Sequence, residues 1–195
     1  MSIADKFEVI ADAVYDKGVS DGENNVWSAA IPPGRTYFRY AFTRWKDTDF
    51  SHLEGVKITD AFWMFSYSGV KELDFNLDLT KCTAVNQMFY GCSHLKKIKK
   101  IIFSDKGDLG FNQTFYGANV LEEISIEGVI GKEISFESCK LLNRASIESI
   151  IKHLSTAQGA TLTLSAEAVN REFTTAEWDA FIAEYKPSTW SIALK

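Results

Sequence analysis

The heptapeptide Asn86-Gln-Met-Phe-Tyr-Gly-Cys92 returns as Asn112-Gln-Thr-Phe-Tyr-Gly-Ala118, with five of its seven residues unchanged and an offset of 26. A chain that copies itself at a near-constant interval uses one structural unit several times, and the interval restricts what that unit is. Anchored on the phenylalanine, the register runs back to Phe65 and on to Phe136, with spacings of 24, 26 and 21 residues. Two aliphatic positions follow each anchor: Val70 and Leu73, Leu95 and Ile98, Leu121 and Ile124. The fourth copy keeps Leu142 but has Ala145 at the second place, so it reads as a repeat degenerating into a cap. Phe42, 23 residues before Phe65, is placed to anchor a degenerate first copy, and Ser51-His-Leu53 matches Ser93-His-Leu95.

A period of 21 to 26 residues lies in the leucine-rich-repeat range and is too short for paired-helix repeats or propeller blades. In a solenoid each position recurs as a column that must be compatible with itself. Three residues after each anchor stand Ser68, Cys92, Ala118 and Cys139, all small, as an interior column requires. Cys92 and Cys139 therefore read as packing residues. Glu72, Lys97 and Glu123 alternate in sign, and Lys96 faces Glu122, so the basic run from Lys96 to Lys100 reads as one side of a surface ion-pair ladder.

The pattern Phe-x-x-Cys-x-x-Leu-x-x-Ile, complete in Phe89-Tyr-Gly-Cys-Ser-His-Leu-Lys-Lys-Ile98, resembles the BspA-type leucine-rich repeat. The whole chain resembles small leucine-rich-repeat proteins encoded by phages and prophages of Gram-positive bacteria. These open on an Ile-Ala-[Asp/Glu]-Lys helix, here Ile3-Ala-Asp-Lys6, and close on a mixed helix–strand segment. The expected fold is an α/β solenoid: a short BspA-like parallel-sheet stack with an N-terminal helix and an α/β C-terminal cap. Its divisions are residues 1–20, an anchoring helix; 21–50, a linker and aromatic N-terminal cap; 51–145, the repeats; and 146–195, the C-terminal cap. The resemblance implies a non-catalytic binding protein on the virion, a tail or fibre component contacting the host surface or neighbouring virion proteins. Its partner would be a protein or a cell-surface glycan. Two other readings stay open, a cytoplasmic protein–protein interaction scaffold and a BspA-like surface adhesin.

Both ends carry their own patterns. Ile147, Ile150, Ile151 and Leu154 share one helical face with Ser146 as N-cap, Thr161–Leu164 alternates as a strand, and Thr174 with Glu177 makes a capping box. Trp178, Phe181, Ile182 and Tyr185 form a second apolar face, and Trp190–Leu194 reads as a closing strand. At the other end Ile3, Phe7, Ile10 and Val14 follow the 4-3-4 spacing of a coiled-coil seam. Isolated helices below about 12–15 residues are marginal in water, so this seam needs a partner. The polar, glycine-bearing stretch 17–25 favours bundling with sister chains as a homotrimer; docking on the chain's own body is the other possibility.

The search for chemistry finds no catalytic motif. Asp74-x-Asn76-x-Asp78 lacks the glycine and glutamate of a calcium loop, having Leu79 and Val85 in their places. There is no Gly-x-Ser-x-Gly and no phosphate loop, and His52, His94 and His153 each precede leucine without a matching nucleophile. No enzyme activity, metal or cofactor is expected. A net charge of -5 argues against a nucleic-acid surface, and acidic and basic residues break up the first twenty positions, so neither a signal peptide nor membrane insertion is expected. The candidate binding residues are aromatic. Tyr90 and Tyr116 are equivalent, Trp63 and Tyr67 lie one copy earlier, and together they would form a partly exposed strip or pack only between coils.

Overall fold

The computed structural model of the protein describes residues 34–46 and 49–195. Leu73, Phe75 and Leu77 are buried in alternation with exposed neighbours along strand β1 (Glu72–Asp78), the burial of a sheet with one wet face. Strands β2 (Lys97–Ile102) and β3 (Glu123–Glu127) lie beside it, all parallel, in the order β1-β2-β3. Leu73 sits opposite Ile98 and Ile98 opposite Ile124, so the second aliphatic position of three sequence copies becomes one row. A second parallel sheet joins β4 (Ile134–Phe136), β5 (Thr161–Leu164) and β6 (Ser191–Leu194). Helices α1 (Arg144–Lys152), α2 (Ala166–Glu172) and α3 (Thr175–Tyr185) complete an α/β architecture of small parallel sheets with a few helices.

The phenylalanine anchors meet in the core. Phe42, Phe65, Phe89, Phe115 and Phe136 are buried and stacked, with successive ring centroids 5.4, 5.4, 5.6 and 4.5 Å apart. Beside them Ser68, Cys92, Ala118 and Cys139 are buried too, and the Cys92 thiol donates to the Phe65 carbonyl at 2.9 Å. A second backbone ladder runs past this column. The amides of Trp63, Phe65 and Tyr67 donate to the carbonyls of Asn86, Met88 and Tyr90; those of Gln87, Phe89 and Gly91 donate to Asn112, Thr114 and Tyr116. Amides in between close turns within their own segment, Met64 on Ala61 and Ser66 on Trp63. The same ladder reaches back to the amides of Phe38, Tyr40, Phe42 and Arg44, which donate to Asp60, Phe62, Met64 and Ser66. The aromatic segment expected to seal this end, with Phe42 placed to anchor a degenerate first copy, is thus hydrogen-bonded in register with the next one.

Several expectations change. Residues 51–145 were expected to form one parallel-sheet stack, yet their last strand, β4, pairs with β5 in a second sheet, while Phe136 itself keeps its expected place in the column. The place next to β3 is taken by α1: the amides of Ile124 and Ile126 donate to the hydroxyls of Ser146 and Ser149, both at 2.9 Å. An edge strand whose free N–H groups are met by side chains is closed to a further strand. Ser146 is therefore not the cap of its helix. Asn143 is, its side chain accepting from the Ser146 amide at 2.9 Å. The Thr174–Glu177 capping box opens α3 as expected, but of its four-residue apolar face only Phe181 is buried; Tyr185 is exposed beneath the Lys152 ammonium. Helix α2, capped by Ser165, had no counterpart in the sequence reading. Residues 1–33, including the seam Ile3, Phe7, Ile10 and Val14, lie outside the described residues. Among the described residues no helix is long and apolar enough to cross a membrane.

Candidate functional site

The second ladder imposes a backbone geometry that exposes side chains. Alternation between turn-closing and cross-segment amides puts Tyr40, Arg44, Trp63, Tyr67, Gln87 and Gln113 at φ between 51° and 57°. Glycine is the ordinary occupant of this left-handed region, and Gly91 and Gly117 hold it at the places equivalent to Tyr67. A residue with a Cβ costs roughly 1–2 kcal/mol more there. Gly91 has a second reason to be glycine: a Cβ on it would come within 2.6 Å of the Tyr67 ring, which lies across it.

All four aromatic residues singled out in the sequence come together. Tyr90 is the hub. Trp63 stacks on it at 6.0 Å and 12°, Tyr116 at 5.0 Å and 20°, and Tyr67 meets it edge-on at 5.3 Å. Tyr40 extends the group from Trp63, at 6.0 Å. Trp63 and Tyr90 are half-buried, whereas Tyr67 and Tyr116 are 48% and 55% exposed. The strip therefore combines packing between segments with two rings open to solvent. A hydrogen bond with Tyr67 raises the pKa of Tyr90 above its ordinary value.

Polar groups run alongside that the sequence reading did not single out. The Trp63 indole N–H donates to the Gln87 side-chain oxygen, and the Gln87 amide donates to Gln113 at 2.9 Å. Arg44 is exposed, with its guanidinium 5.9 Å from the centre of the Tyr67 ring. Gln87 and Gln113 occupy equivalent places in the repeated heptapeptide, so the signal was present; they stand out only once the left-handed backbone is seen to aim both along the strip. On the wet face of β1–β3 one expected rung forms, Lys97 with Glu123 at 3.5 Å, and Lys100 pairs instead with Glu127 at 2.9 Å; among the described residues neither Glu72 with Lys97 nor Lys96 with Glu122 makes an ion pair.

The thiols of Cys82, Cys92 and Cys139 are all buried, and desolvation pushes Cys92 up to about 12 and Cys82 to about 11. His52 packs against Phe42 and Phe50, and His153 Nδ1 lies 2.8 Å from the Ser149 carbonyl. Among the described residues no three His, Cys, Asp or Glu side chains are grouped to hold a metal ion. No protein-family model, curated protein or solved structure matches this chain.

Proposed function

We propose that the chain is a short BspA-like leucine-rich-repeat solenoid that works as a non-catalytic binding module, carried on a phage particle and contacting its partner through the aromatic strip. The observation that carries the reading is the exposure of Tyr67 and Tyr116 on a continuous group of rings. Large rings with a polar tip are the side chains that dominate recognition surfaces. The periodic register supports the solenoid: equivalent phenylalanines stack, equivalent aliphatics align, and one hydrogen-bond ladder passes from segment to segment. The strip would then be a rigid display face, with little conformational entropy left to lose on binding. The setting on a particle rests on the resemblance of the chain's start, repeats and closing segment to phage-encoded proteins.

Two measurements test this. Mass spectrometry of particles purified after induction of the carrying Gram-positive strain should find the chain. Labelled protein should bind host cells or immobilised particles, and the double variant Tyr67→Ser, Tyr90→Ser should lose that binding while keeping its circular dichroism spectrum. Retention by the folded double variant equal to that of the parent overturns the strip.

A further inference from the structure

The column of exposed rings stops at Tyr116. One segment on, the place after the phenylalanine anchor holds Glu137, so one face of Tyr116 stacks on Tyr90 and the other has no ring against it among the described residues. A groove of about 950 Å³ opens there, between the segment carrying Tyr116 and the sheet β4–β6. Small-molecule sites occupy roughly 300–1,000 Å³. We infer that this groove is a saccharide subsite with Tyr116 as its stacking platform, and that its ligand is a neutral oligosaccharide. The inference rests on the binding-module reading and names a ligand class for the end of the same strip.

The lining has the chemistry for sugar hydroxyls, each of which both donates and accepts. Carboxamides come from Asn112, Gln113 and Asn119, and hydroxyls from Ser135 and Ser138. The Gln113 side-chain oxygen takes the Gln87 amide, which leaves its own NH₂ without a partner among the described residues; the Asn119 side chain has none either. A carboxamide with open donors and acceptors suits a ligand rich in hydroxyls. The C–H face of a pyranose ring is apolar and weakly positive, and it meets the negative face of an aromatic ring favourably.

Charge argues for a neutral sugar. Lys195 lies 3.9 Å from Glu137 and Lys140 lies 3.5 Å from Glu167, so these ammonium groups are already compensated. Lys132 is followed by Glu133, both in the lining, and no arginine lines the groove to clamp a carboxylate or phosphate. The chain's net charge of -5 would repel a polyanion at long range.

Calorimetric titration of the full chain with neutral hexasaccharides (a β-glucan, a chitin oligomer, a mannan and a galactan) and with hexagalacturonate tests the inference. One neutral oligomer should bind at millimolar concentration or below, with an affinity insensitive to salt. Tyr116→Ala should weaken it by about tenfold or more, Tyr116→Phe should restore it, and Glu72→Gln, on the exposed face of β1 and outside the lining, should leave it unchanged. Silence from every neutral oligomer, binding of the acidic one alone, or an unchanged affinity in Tyr116→Ala overturns the groove as a neutral saccharide site. A silent titration beside cell or particle attachment that depends on Tyr67 and Tyr90 removes the groove and leaves the strip standing. Loss of the strip with sugar binding intact does the reverse.

Discussion

Phe89 is held between Phe65 and Phe115, 5.4 and 5.6 Å away, with no solvent exposure. Removing its ring would open a cavity that neither neighbour can fill, because each is fixed by the ring on its far side. Phe89→Ala should therefore cost about 3–5 kcal/mol, the usual figure for a core phenylalanine, and a urea titration of the variant beside the parent measures it. The buried thiols give a second prediction at this scale. Desolvation raises the folded pKa of Cys92 to about 12, while in the unfolded chain it ionises near the ordinary thiol value of about 8.5. Below that value the contribution to stability is fully present; it is lost as pH rises from there through the folded value. The urea midpoint should hold steady up to about pH 8 and fall above about pH 9, and the fall should be shallower in Cys92→Ala. In the native state at neutral pH, a thiol reagent should react with none of the three cysteines at the rate seen in urea.

Helix α1 closes a sheet by side chain where another fold would add a strand. Ser146 also approaches the Asn143 side chain and the Glu122 carbonyl, so its hydroxyl ties helix, cap and strand together. Ser146→Ala leaves the buried Ile124 amide without an acceptor, a loss of about 1–3 kcal/mol. Hydrogen exchange should show the Ile124 and Ile126 amides opening faster in a Ser146→Ala, Ser149→Ala double variant, with the β1 amides little changed. Protection equal to that of the parent would mean that the serines are incidental to the closed edge. The sequence held part of this arrangement: Ser146 and Ser149 are three apart, hence on one helical face beside Ile147 and Ile150. A serine before an apolar helical run reads first as a cap, and only the position of β3 gives the pair its other task.

Across the whole molecule, what repeats could be read from the sequence and what joins unlike parts could not. The column from Phe65 to Phe136 follows from identity at a fixed interval, since identical residues at identical places must meet. The four aromatic residues of the strip were reached by the same route. The division into two sheets was not, because β4 pairs with β5, which in turn pairs with β6, both well beyond the last copy. The groove was hidden for the same reason, its walls coming from segments as distant as Asn112 and Lys195; the one trace in the sequence is Glu137, where a tyrosine would have continued the pattern. The ladder beside the phenylalanines has a consequence for reach. The two middle segments, 63–67 and 86–91, each receive from the segment before the same backbone bonds that they give to the one after, so neither fixes how many such segments lie between the ends. Duplicating the 26 residues 89–114 would lengthen the displayed face by one ring spacing, 5.0 Å between Tyr90 and Tyr116, and leave both ends as they are. The gene thus carries a measuring stick whose extent changes in whole steps.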